Sequence, residues 1–111
     1  MAYLRKDNET VEIDQELNRV WDAVFRAIEE LKWNIESTNH DAHQVRIKTP
    51  RDFISWETTL IIEMLKMSDS TTRVFIVAET PVTTISAIFD FGRARRYIDL
   101  FLAALHRKLF V

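Results

Sequence analysis

Cysteine is missing from this sequence altogether, which excludes disulfides, thiolate zinc sites and a cysteine nucleophile. Glycine occurs once, at Gly92, and proline twice, at Pro50 and Pro81. The single glycine lies in Asp90-Phe91-Gly92, the triplet that holds magnesium in a protein kinase. A kinase also needs a glycine-rich phosphate loop, a strand lysine paired with a helix glutamate and a catalytic loop, all in a far longer chain. That reading fails. No run of apolar residues approaches the roughly 18 needed to span a membrane, and MAYLRKDNETVEI lacks the apolar stretch of a secretion signal. With no cysteine to protect, the expectation is a cytoplasmic protein that does not insert into membranes. Neither charge sign dominates: 15 basic and 17 acidic residues leave a net charge of -2, so nucleic acid is not an expected partner.

What is present is ordinary for one folded domain over residues 1–111: 47% hydrophobic and 29% charged residues. TVEI at 10–13 alternates Val11 and Ile13 with polar neighbours and predicts a short first strand. Asp14 offers an N-cap to a helix whose inner face is Leu17, Val20, Trp21, Val24, Ile28 and Leu31. The period then changes to two. Trp33, Ile35 and Ser37 share a face until TNHDA breaks the strand, and Val45 and Ile47 alternate on the next one. After a turn at 50–52, Ile54, Trp56, Thr58, Leu60, Ile62 and Met64 line one side of the longest strand. TRVFIVAE gives a fifth strand with Val74, Ile76 and Ala78 on one face, and Pro81 is expected to end it. VTTISAIF at 82–89 fits a strand, a loop or an early helical turn. A final helix carries Ala94, Tyr97, Ile98, Phe101, Leu102, Leu105 and Leu109 on one stripe, with Asp90 or Gly92 as its cap.

Strand, helix, four strands joined by short turns and a terminal helix predict an α+β fold: an antiparallel sheet ordered 1-5-4-3-2 with two helices on one face. TVEIDQELNRVWDAVFRAIEELKW resembles the start of START-related helix-grip domains, and RARRYIDLFLAALHRKL resembles their terminal helix, which lies across a curved sheet. The order is also similar to small bacterial and archaeal domains of unknown function and to one repeat of the TATA-binding protein fold. The extra helix and two strands that usually follow the first helix in the START-related pattern are missing. The resemblance implies a non-catalytic binding domain for a small apolar or amphipathic ligand, held between the sheet and the terminal helix. On that reading Trp21, Trp33, Trp56, Tyr97 and Phe101 face the ligand; on the plainer one the tryptophans are core, since aromatic side chains dominate small cores.

Other residues allow narrower readings. His40-Asp41-Ala42-His43 groups two imidazoles and a carboxylate, but the stretch is a predicted turn and nothing nearby supplies a fourth ligand, so no metal site is expected. Glu57 and Glu63 share a strand face about 20 Å apart by strand rise, too far for an acid/base pair. No Gly-x-Ser-x-Gly elbow, His-Glu-x-x-His helix or phosphate loop is present, and the sequence implies neither an enzyme nor a cofactor. Arg93, Arg95 and Arg96 crowd the start of the last helix, where the dipole disfavours cations. Either they pair with Asp90 and Asp99, or Gly92, Arg93 and Arg96 capture a phosphate or carboxylate. Ile61, Leu65, Phe75 and Val77 point to the sheet face away from the helices. They form a homodimer interface there, or VTTISAIF folds over them.

Overall fold

The computed structural model describes residues 3–50, 58–82 and 93–110. Segment 51–57, with Ile54, Trp56 and most of the turn expected at 50–52, lies outside the described residues. So does segment 83–92, with Asp90, Gly92 and most of VTTISAIF. The elements are β1 (Tyr3–Ile13), α1 (Leu17–Leu31), β2 (Asn34–Asn39), β3 (Gln44–Lys48), β4 (Thr59–Ser68), β5 (Thr71–Val82) and α2 (Arg93–Phe110). Neighbouring strands pair antiparallel in the order β1-β5-β4-β3-β2, as the sequence pattern predicts.

The inner sheet face is built by strict alternation. Val45 and Ile47 of β3, Leu60, Ile62 and Met64 of β4, and Val74, Ile76 and Ala78 of β5 are all buried. α1 covers them with Val20, Val24 and Ile28, and α2 with Ile98, Phe101, Leu105 and Leu109. Each large aliphatic or aromatic side chain withdrawn from water this way contributes about 1.5–3 kcal/mol against the entropy of ordering the chain.

Four expectations need correction. β1 runs from Tyr3, seven residues earlier than TVEI, because β5 offers a partner along its whole length, from Tyr3↔Val82 to Ile13↔Thr72. Asp14 does not cap α1. The N–H of Gln15 turns back to the carbonyl of Ile13 at 2.8 Å, and Thr72 Oγ1 donates to the Gln15 carbonyl at 2.9 Å. That tight turn, pinned to β5, delays the helix to Leu17 with Glu16 at the cap position and no side-chain cap bond. Ile35 is 46% exposed, because the β2–β3 register shifts between Ile35 and Ser37 and the bulge breaks the alternation. Pro81 does not end β5 but pairs with Leu4. Proline inside a strand is accommodated where its missing N–H is not called on by the ladder.

Candidate functional site

The end of α1 shapes the site. Lys32 adopts the left-handed conformation (φ 59°), and the N–H groups of Lys32 and Trp33 bond back to the carbonyls of Glu29 at 3.1 Å and Ile28 at 3.3 Å. This double closure swings Trp33 beneath the helix toward Ile28, as a Schellman turn does with its following apolar residue. Trp33 is 9% exposed, and Tyr97 of α2 meets it edge to face with ring centroids 5.6 Å apart.

Register then adds three hydroxyls. Thr49, Thr58 and Thr80 stand one residue beyond the pairs Lys48↔Thr59 and Thr59↔Glu79, and Trp33 stands one beyond Asn34↔Lys48. Trp33, Thr49, Thr58 and Thr80 thus form one transverse row on the inner side of the sheet. All three threonines are fully buried. Thr58 and Thr80 share a hydroxyl–hydroxyl bond of 2.7 Å, and Thr49 Oγ1 accepts the N–H of Thr58 at 3.0 Å while the Thr49 N–H donates to the Thr58 carbonyl at 2.9 Å. Among the described residues these bonds use one of the three hydroxyl protons. Two rows further in, the same face is purely apolar: Ile47, Leu60 and Ala78. A buried hydroxyl left unbonded costs about 1–3 kcal/mol and valine would fill the same volume, so the row marks a place where the inner face is polar by composition.

The predicted ligand residues divide. Trp33 and Tyr97 come together at the threonine row, Phe101 is wholly buried in the core, and Trp56 lies outside the described residues. Trp21 sits elsewhere. It packs edge to face on Phe25, His40 and His43 at centroid distances of 4.8, 5.7 and 5.3 Å, and its indole N–H donates to His40 Nδ1 at 3.3 Å. The His40–His43 turn therefore serves to join the β2–β3 hairpin to α1. Sequence reasoning identified Thr58 as inward but missed Thr49 and Thr80; only the strand order reveals the row.

The helix-start arginines also separate. Gly92 lies outside the described residues, Arg93 opens α2, and Arg96 is exposed. Among the described residues Arg95 has these partners: Asp99 at 3.1 Å, as the pairing reading expects, and also Glu9 at 3.3 Å and Asp7 at 3.9 Å on β1. Partial burial lowers the Arg95 pKa, but hydrogen bonds to Asp99 and Glu9 outweigh it and hold it above the ordinary value. On the opposite sheet face a polar hollow of about 340 Å³ includes Gln44 and Arg46. Their side chains are already bonded to Glu63 and Glu36, each at 3.3 Å, which leaves the hollow little unspent recognition chemistry.

No protein-family model matches the chain, and no curated protein matches it by sequence. Solved structures do match in shape. The chain is similar to a truncated norcoclaurine synthase from Thalictrum flavum, at 6% identity and a TM-score of 0.73 over 98% of this chain and 95% of that one. It is similar to a START superfamily protein from Mycobacterium smegmatis, at 9% identity and a TM-score of 0.66 over 94% and 96% of the two chains. It also matches the di-domain ARO/CYC BexL from the BE-7585A biosynthetic pathway, at 10% identity and a TM-score of 0.69 over 92% of this chain and 45% of that one. At such identities the likeness concerns the fold. The fold is α+β helix-grip, of the kind found in START superfamily proteins. The expectation that the chain is not an enzyme is overturned as a reading of its architecture: a synthase and an ARO/CYC protein are built on the same frame. No described helix is long and apolar enough to cross a membrane.

Proposed function

We propose that this chain binds a small amphipathic molecule at the threonine-lined end of the groove. The ligand's apolar body packs against Trp33 and Tyr97, and a hydrogen-bond acceptor on it takes hydroxyl protons of Thr49, Thr58 and Thr80 that the bonds among the described residues leave unused. The single observation that carries the reading is the row of three buried threonines beside the Trp33–Tyr97 pair; Thr72, buried further along the same face of β5, spends its hydroxyl on the Gln15 carbonyl. A few placed polar groups in an apolar cleft are what orient a bound small molecule. Native mass spectrometry of freshly purified protein should show a retained small mass. Anilinonaphthalene sulfonate, which has an apolar body and an acceptor group, should bind the wild type and bind Thr58→Val/Thr80→Val about tenfold more weakly, the yield of one or two lost hydrogen bonds. Equal affinity in a variant with an unchanged circular dichroism spectrum would remove the threonines from the site.

A second reading, a homodimer through the outer sheet face, has its own support. Ile61 pairs with Val77 across β4 and β5, Phe75 lies diagonal to Ile61, Leu65 lies diagonal to Phe75, and Leu65 is 51% exposed. Sedimentation velocity over a concentration series tests it.

A further inference from the structure

The two ends of α2 are held by different forces. From Ile98 onward the helix is fixed by Ile98, Phe101, Leu105 and Leu109, each nearly or fully buried. Ahead of them, among the residues whose burial is described, Ala94 is buried, a small anchor, and Tyr97 is half-buried against Trp33. Among the described residues, the polar hold on the first turns is Arg95. Its Nη2 lies 3.3 Å from Glu9, its Nη1 lies 3.9 Å from Asp7 and donates to the Asn8 carbonyl at 3.4 Å, and its Nε and Nη2 bond Asp99 one turn on at 3.2 and 3.1 Å. The Asn8 N–H donates to Asp7 at 2.8 Å, so the main chain at mid-β1 is drawn into the same cluster. Arg95 and Tyr97 are two residues apart, about 200° around the helix, so they clamp opposite flanks of the same turn.

We infer that Arg95 is the positioning residue of the groove: it holds the first turns of α2, and Tyr97 with them, over the threonine row, and its release admits the ligand. The inference rests on the ligand reading above. A polar hold suits an opening part, because the Arg95 side chain and its carboxylate partners are 36–63% solvent-exposed and exchange partners with water at little cost. The apolar anchors beyond Ile98 have no such exchange available, which makes the turn after Tyr97 the natural hinge.

Two measurements on the full chain test the parts separately. The first needs no ligand. The amides of Tyr97, Ile98 and Asp99 are the first in α2 with helical acceptors, and in Arg95→Ala their hydrogen exchange should rise about tenfold while that of residues 102–109 stays within about twofold. The pair Glu9→Arg with Arg95→Glu should restore protection, which a merely damaged helix would not. Unchanged exchange, a uniform rise along α2, or no rescue by the swap would overturn the positioning role. The second is stopped-flow binding of anilinonaphthalene sulfonate. In Arg95→Ala the association and dissociation rates should both rise about threefold or more with Kd nearly constant, since an easier opening speeds both directions. Rates equal to wild type would overturn the gating role. A wild-type protein that takes up no probe would overturn the ligand reading and the gate with it, while the exchange result would still stand or fall by itself.

Discussion

Lys32 occupies the left-handed region at φ 59°, a conformation that costs a residue with a Cβ roughly 1–2 kcal/mol. The chain tolerates it because the turn fixes Trp33 against Ile28 and in front of Tyr97. Glycine would adopt the same backbone without steric cost, at the expense of a more disordered unfolded chain worth about 0.5–1 kcal/mol. The steric relief is the larger of the two, so Lys32→Gly should stabilise the protein by about 0.5–1 kcal/mol in urea unfolding and leave the Trp33–Tyr97 contact intact. Loss of stability would mean that the Lys32 side chain itself contributes. The same scale separates the tryptophans. Trp33 was legible as an inward residue from its alternation. The half-exposed setting of Trp21 was not, because its partners His40 and His43 reach it only through the fold of the β2–β3 hairpin.

The elements show where local pattern is a sufficient guide and where it stops. β3, β4, β5 and both helices were readable because their inward residues are apolar at the proper period. The early part of β1 was not: Asp7 and Glu9 fall where apolar residues belong, and their partner Arg95 is more than eighty residues away in sequence. The threonine row escaped for a related reason. Each threonine reads as an unremarkable strand residue until strand order sets three of them side by side. The far end of α2 is tied more conventionally, by Arg107 and Lys108 to Glu30 near the end of α1. Hydrogen bonding from Arg107 is the leading cause that holds the Glu30 carboxyl below the ordinary glutamate pKa, reinforced by Lys108, with burial opposing both. A carboxylate with a lowered folded-state pKa stabilises the protein above its unfolded-state value and loses that contribution as pH falls through the folded one. Glu30→Gln should therefore lie below the wild type in melting temperature at neutral pH. The gap should close on acidification below about pH 4.3, the ordinary glutamate value. A gap that persists at low pH would show that the Glu30 bonds act through packing rather than charge.

At the scale of the whole molecule, one sheet face is committed to the helices, and the homodimer reading concerns the other. Its apolar centre is small: Leu65 is 51% exposed, but Ile61, Phe75 and Val77 are each less than half as open as a free side chain. Charged residues around them are largely paired within the chain, Lys6 with Glu79, Arg73 with Glu12, and Glu36 with both Arg46 and Lys48. Such a face presents little net field, so a copy meets no long-range repulsion and no steering either. Apolar patches that drive stable association usually exceed a few hundred Å² and stable interfaces cover about 800 Å² on each partner, whereas here one half-exposed leucine and three largely covered side chains form the centre. Self-association through this face should accordingly be weak, with Kd above about 1 μM. Phe75→Lys is the informative variant, because Glu63 lies directly across the ladder and would pair with the new charge instead of repelling it. The variant should fold normally and sediment as a monomer at concentrations where the wild type begins to associate. If the wild type stays monomeric throughout the series, the outer face is ordinary solvated surface. If Phe75→Lys associates as the wild type does, the contact lies on another face.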